Sequence, residues 1–211
     1  MVRAQLHIGL TLAALSLSTA CSGLDKGERG EVLFVNNCAT CHSQTGEGNQ
    51  LIQAPAIAGL PQWYVERQVS NFRDGKRGAH FDDVAGLRMR PMSRTLTDDK
   101  EVALVSAYVS KLKPHKGAAT LEGDAAAGEA KFAVCKACHG VNGEGSELMG
   151  GPPLTGADDW YMLTQLKNFK SGIRGSAEGD KMGATMVATG IPSLATEDDM
   201  KNVIAFIRTL E

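Results

Sequence analysis

Cys38-Ala39-Thr40-Cys41-His42 and Cys135-Lys136-Ala137-Cys138-His139 decide how the rest of this chain is read. Cysteines at i and i+3 point the same way on one turn of helix. Both can therefore form thioethers with the two vinyl groups of one porphyrin, which makes each stretch a c-type heme attachment motif. The histidine one step further on swings an imidazole under the iron as proximal ligand. Cys38, Cys41, Cys135 and Cys138 are thus the candidate attachment residues, and His42 and His139 the candidate iron ligands.

The two motifs belong to a longer repeat. An offset of 97 carries Gly46, Gly48 and Pro55 onto Gly143, Gly145 and Pro152. It also carries Trp63, Tyr64, Asn71 and Phe72 onto Trp160, Tyr161, Asn168 and Phe169. Before the motifs and after Met89 the offset becomes 98, pairing Phe34 with Phe132, Leu96 with Leu194 and Leu112 with Leu210. Such a register means duplication. Each copy predicts a short helix running into the motif (28–37 and 125–135), a Gly-rich loop with a proline, and a middle helix (62–73 and 158–170). A long loop containing methionines and a final helix complete it. Thr97-Asp98-Asp99 and Thr196-Glu197-Asp198 place capping residues at the final helix starts. Val102, Val105, Val109 and Leu112 then form one apolar stripe, matched by Val203, Ile204, Ile207 and Leu210. Alternating strand patterns of useful length are lacking, so the class is all-α.

Bulk properties narrow the choice. Aromatic content of 5% is low for the core of a 211-residue chain, and buried porphyrins would compensate. A formal charge of −2 without a Lys/Arg tract excludes a nucleic-acid backbone as partner. Met1-Val2-Arg3, an apolar run from Ile8 to Leu17 and Ser18-Thr19-Ala20 form a secretory signal over residues 1–20. That run is too short to span a bilayer, which needs ~20 apolar residues. The fifth cysteine, Cys21, follows directly, so the segment also resembles a bacterial lipoprotein box with a lipidated Cys21 and a tether over 21–26. Ser18 stands where that box prefers an aliphatic residue, and ordinary cleavage after Ala20 is the alternative. Both export routes lead to the periplasm. Domains are expected at 27–113 and 121–211, with a linker at 114–120 that has nothing to bury.

The sixth ligand decides function. One methionine in each copy, Met89 and Met186, stands 47 residues after the histidine. A thioether favours the reduced iron and fills its coordination sphere, which suits electron transfer and suppresses binding of small molecules. Met92 and Met182 lack repeat partners and are read as packing residues.

The residues just described resemble the diheme class I cytochromes c of the cytochrome c4 type. The resemblance rests on the motifs, Gly46-Glu47-Gly48 and Gly143-Glu144-Gly145, the Trp-Tyr helix, and Met89-Arg90-Pro91-Met92 ahead of Leu96-Thr97-Asp98. It implies two tandem class I domains, each wrapping one covalently attached heme c, with the hemes close across a domain interface. It also implies Met89 as the ligand of the Met-x-x-Met pair, and Pro55 and Pro152 as carbonyl acceptors for the histidine's other ring nitrogen. Trp63, Tyr64, Trp160 and Tyr161 could hydrogen-bond heme propionates or serve as ordinary core aromatics.

A periplasmic electron carrier, not an enzyme, follows as the expectation. Its redox partners would be a quinol-oxidising complex or dehydrogenase on one side and a terminal oxidase or reductase on the other. A cytochrome subunit of a dehydrogenase is the neighbouring alternative. A diheme peroxidase needs an iron that opens a site, which two matched methionines oppose, and zinc or thioredoxin-like readings leave the histidines unexplained. Residues 73–94 hold six basic side chains against three acidic ones and are read as a solvated loop. Residues 21–113 sum to +1 and 114–211 to −4, an asymmetry able to orient the molecule on a partner. His80 and His115 are read as surface residues.

Overall fold

Asp25 opens the first helix with a capping box: its carboxylate accepts from Glu28 N at 2.8 Å, and Glu28 Oε2 accepts from Asp25 N at 2.9 Å. The computed structural model describes residues 25–210. The signal segment and Cys21 lie outside the described residues. In chain order the α-helices are α1 (Lys26–Asn37), α2 (Ala39–His42), α3 (Gln62–Arg73), α4 (Val84–Ser93), α5 (Asp99–Val109), α6 (Ala125–His139), α7 (Asp159–Lys170), α8 (Lys181–Thr189) and α9 (Glu197–Ile207). The described residues contain no strand, only isolated bridges at Asn49–Ala54 and Ser146–Gly151.

Two separate cores form, one per repeat. Phe34 and Phe132 are fully buried at their centres. Around Phe34 pack Val65, Val69, Leu96, Val102, Val105 and Val109. Around Phe132 pack Met162, Leu163, Leu194, Val203, Ile204 and Ile207. The terminal helices of each repeat cross there, α1 on α5 and α6 on α9. Glycine permits the close crossing: a Cβ on Gly30 would sit 2.5 Å from the Leu104 carbonyl oxygen, and one on Gly128 would collide with that of Asn202. Phe34 stacks obliquely on Tyr108 at 5.3 Å, and Phe132 on Phe206 at 5.4 Å. The expected capping residues hold, with Asp98 accepting from Glu101 N and Thr196 from Asp199 N.

Three expectations need correction. The methionine segments are helical: Met89 lies on α4 and Met186 on α8. Asp83 and Asp180 cap these helices by accepting from Gly86 N and Gly183 N, each at 3.0 Å. Glycine, Pro91 and the lack of an inward apolar stripe hide them in the sequence. Met89 and Met186 keep their matched position, now at the same place along the course of each helix.

The heme motif is also built differently in the two copies. α1 ends at Asn37, where the side-chain Nδ2 donates to Leu33 O at 3.0 Å and competes with the helical ladder. Its counterpart is Val134, and α6 runs unbroken to His139. Finally, the linker is exposed but tied down. Arg208 donates to Gly117 O at 2.8 Å, and the Asp159 carboxylate accepts from Thr120 N, Thr120 Oγ1 and Leu121 N at 2.6, 2.7 and 3.1 Å. Leu121 packs on the second core.

Candidate functional site

Each histidine ends a helix and is fixed by the loop that follows. Gly48 N donates to His42 O at 2.9 Å, and Asn49 and Ala54 exchange backbone bonds at 2.7 and 3.0 Å. That clamp brings Pro55 O to 2.8 Å from His42 Nδ1. In the second repeat Gly145 N donates to His139 O, Ser146 N to Gly151 O, and Pro152 O lies 2.7 Å from His139 Nδ1. The prolines are the carbonyl acceptors expected of them. A carbonyl can only accept, so Nδ1 carries the proton and Nε2 keeps its lone pair. Burial lowers the pKa of both rings, outweighing the opposing bond to the proline carbonyl. Both imidazoles are therefore held in the neutral, ligating form.

Gly48 permits the tight loop. Its φ of +74 at Gly46 and +83 at Gly48 recurs as +72 and +84 at Gly143 and Gly145. A Cβ on Gly48 would lie 2.6 Å from Ala54 O.

Cys38, Cys41, Cys135 and Cys138 are half-buried. Before a porphyrin is attached, burial, aided by Cys41, pushes the Cys38 thiol to about 11, and burial also raises that of Cys135. All four line one continuous cavity of about 660 Å³ with His42, His139, Met89 and Met186. The eight expected site residues thus converge on a single space shared by both repeats. Met92 and Met182 also border it, so the lining does not separate them from the repeat-matched pair.

Where the repeats meet, the cavity carries a cluster that the sequence reading left unnoticed. Arg77 donates to Gln68 Oε1 at 2.8 Å and to Gln165 Oε1 at 3.1 Å. Arg174 donates to Gln165 Oε1 at 2.9 Å and to Gln68 Oε1 at 3.1 Å. The same 97-residue offset pairs Arg77 with Arg174 and Gln68 with Gln165, a signal that could have found them. Each guanidinium also stacks on its own repeat's phenylalanine, Arg77 on Phe72 at 4.3 Å and Arg174 on Phe169 at 4.4 Å. Arg77 is 6% exposed, which corrects its reading as part of a solvated loop. Tyr161 joins through its hydroxyl, 3.3 Å from Arg77. Burial pushes this phenol up, but Arg77 and Arg174 outweigh it and hold the group below its ordinary value. Of the four aromatics of the Trp-Tyr pairs, Tyr64 and Tyr161 border the cavity. Two further bonds join the repeats: Arg67 to Gly150 O at 2.6 Å and Ala56 N to Asp158 Oδ2 at 2.8 Å.

A porphyrin fits this donor set. The Nε atoms of Arg67, Arg77 and Arg174 are buried without a hydrogen-bond partner, and all three residues line the cavity. Buried donors of this kind call for acceptors, and propionate carboxylates would supply them. Neutral imidazole, thioether sulfur and paired thiols complete the set for heme c, which when bound supplies a reversible one-electron iron couple.

The chain belongs to the Cytochrome c family, which matches residues 27–113 and again 125–211, giving two tandem domains of the diheme class I, cytochrome c4 type. Among individual relatives, the thiosulfate dehydrogenase electron acceptor of Thiomonas intermedia (strain K12) is 32% identical over 160 residues, covering 70% of this chain and 67% of the relative. Reduced recombinant cytochrome c4 from Pseudomonas stutzeri has a similar structure, with a TM-score of 0.67 and 26% identity over 88% of this chain and 98% of that one. The thiosulfate dehydrogenase TsdBA from Marichromatium purpuratum superposes with a TM-score of 0.69 and 30% identity over 87% of this chain, which spans 40% of that protein's length. The protein is a diheme electron-transfer cytochrome with two covalently bound hemes c. No helix among the described residues is long and apolar enough to cross a membrane.

Proposed function

We propose that this protein is a periplasmic electron carrier without catalytic turnover of its own. It accepts electrons from a dehydrogenase or quinol-oxidising complex and passes them to a terminal oxidase or reductase. One porphyrin is carried by Cys38 and Cys41 with His42 and Met89 as iron ligands, the other by Cys135 and Cys138 with His139 and Met186, in domains spanning 27–113 and 121–211. The observation that carries the reading is the duplicated histidine environment. His42 bonds Pro55 O and His139 bonds Pro152 O, each facing one shared cavity with a repeat-matched methionine. Two equivalent centres favour relay over the division of labour a peroxidase needs. The similarity to a thiosulfate dehydrogenase electron acceptor favours a dehydrogenase as donor.

A redox titration of the purified protein, followed through the near-infrared charge-transfer absorption of methionine-ligated heme, tests this. Two covalently held hemes, both bearing that absorption when oxidised, are expected. A high-spin resting heme together with peroxide turnover would overturn the reading.

A further inference from the structure

Duplication supplies an internal control: what differs between the copies is not required by the fold. One such difference lies on the outward side of α4. Gly86 and Ser93 are buried on one side of this helix, and Val84, Leu87, Arg88 and Pro91 share the other at i, i+3, i+4 spacing, with Arg88 and Met92 at the cavity rim. Val84 is 58% exposed, Leu87 40% and Met92 36%, and Phe81 just before the helix is 77% exposed. The Phe81 ring is not loose, because it stacks on His80 with centroids 4.5 Å apart. On α8 the inward Gly183 and the capping Asp180 are kept, but the outward residues become Lys181, Ala184, Thr185, Ala188 and Thr189, with Glu178 in place of Phe81. At these matched positions large apolar groups and Arg88 give way to Lys181 and to small or polar residues, and Met182 is the exposed large apolar residue of α8.

We infer that this outward face of α4 is a docking surface for an acidic redox protein, and that the first domain, not the second, meets that partner. The inference rests on the carrier reading above. Charge supports the occupant. Arg88 and Arg94 flank the apolar residues, donate to the backbone carbonyls of Ile52 and Arg73, and make no ion pair among the described residues. The exposed Asp82 is the neighbouring carboxylate, near His80, whereas Asp83 is buried in its capping bond. Composition supports it too, since aromatic residues, Met and Arg are enriched at protein interfaces. A ten-residue helix offers a small patch, as suits the brief, low-area encounters of electron-transfer pairs. The same helix carries Met89, the proposed iron ligand. A partner seated there is separated only by that helix from the cavity that Met89 lines.

The test uses full-length, heme-loaded protein and photoreduced flavodoxin, an acidic flavoprotein that gives up one electron per encounter while one iron is reduced. Stopped-flow rates are measured across a salt series. For the wild type the second-order rate should fall steeply with salt. Arg88→Glu with Arg94→Glu should lower the low-salt rate by about tenfold or more and flatten the salt dependence. Val84→Ser with Leu87→Ser should lower the rate at high salt, where steering is screened. Adding the same negative charge to the matched face, Lys181→Glu with Ala184→Glu and Ala188→Glu, should leave the rate within about twofold, the second domain lying outside the encounter.

Retained heme content and methionine absorption establish that each variant is folded. Equal losses in the α4 and α8 variants, or no loss in either, would overturn the inference. So would binding of the wild type to phosphatidylglycerol vesicles that the Arg88/Arg94 variant loses while its flavodoxin rate is unchanged, since the face would then meet lipid. If the wild type itself fails to take electrons from flavodoxin and from dithionite, the carrier reading fails; if only the variant comparison fails, that reading survives.

Discussion

Arg77 reaches out of the first repeat and donates to Gln165 of the second at 3.1 Å. With Arg174 and Gln68 it completes a four-residue ring in which each glutamine oxygen accepts from both arginines. Two guanidiniums share a buried site where a carboxylate bond to either is absent among the described residues. The ring therefore depends on its glutamines, and the carboxylates of a bound porphyrin would add acceptors for its unpartnered Nε atoms. Replacing Gln165 with alanine strands donors of both arginines. It should cost about 1–3 kcal/mol of stability. Denaturant unfolding of the heme-loaded protein measures the loss, and small-angle scattering should show the two domains moving apart. Unchanged stability would mean the ring contributes nothing to their docking.

Met186→His should lower the potential of one heme and leave the other near its original value. The shift is drawn from the ~0.8 V range over which axial ligands tune heme. Met89→His should do the same for the other center. A redox titration resolves the two waves, and an unmoved wave in either variant removes that methionine from the coordination sphere.

Gly48→Ala puts a Cβ against Ala54 O at a φ of +83, in the loop that delivers Pro55 O to His42. Strain of this kind costs about 1–3 kcal/mol. The melting temperature should drop, and the freed ring should alter the iron's spectrum. Gly145→Ala predicts the same at the second center. A stable protein with an unaltered spectrum would show that the histidine does not need this loop.

The Asp159 carboxylate is fully buried and accepts from four donors, including Trp160 N at 2.7 Å. Burial alone would raise its pKa, but the bonds from Thr120, Leu121 and Trp160 outweigh it, so the folded value lies below the ordinary 3.8. A depressed carboxylate stabilises the fold above its unfolded pKa and loses that contribution as pH falls through the folded value. Asp199, lowered to about 2 by Lys131 and Thr196, acts in the same direction. Acid unfolding should therefore begin below pH ~3.8. Asp159→Ala should destabilise by about 1–3 kcal/mol for the donors it strands and flatten that acid limb. A variant that kept the wild-type acid profile would assign the limb to other carboxylates.

Cys21→Ala should release the protein from membranes if that residue is lipidated. Fractionation of cells producing the full chain measures this, and an unchanged distribution removes the tether.

Much of the architecture was legible because duplication wrote it twice. The attachment motifs, the loop prolines, the final-helix caps and the apolar stripes around Val105 and Ile204 depend on local spacing, and each recurs at a fixed offset. The methionine helices were not legible. Their few large apolar residues point outward on α4, and inward positions are held by Gly86 and Ser93, so no buried stripe marks them. Arg77 was misread because a guanidinium in a charged stretch looks solvated until its acceptors, Gln68 and Gln165, are brought together from different repeats.

Local chemistry along the chain was enough to define two heme-binding helical units, because thioether attachment, histidine ligation and helix capping all act within a few residues. Only the folded molecule decided how those units meet. It joined their cavities, ringed the boundary with two arginines and two glutamines, strapped the linker to Asp159 and left one face of α4 bare. The ring and the strap depend on groups 38 to 106 residues apart approaching within hydrogen-bond distance, and such proximity comes from packing, which no local pattern encodes.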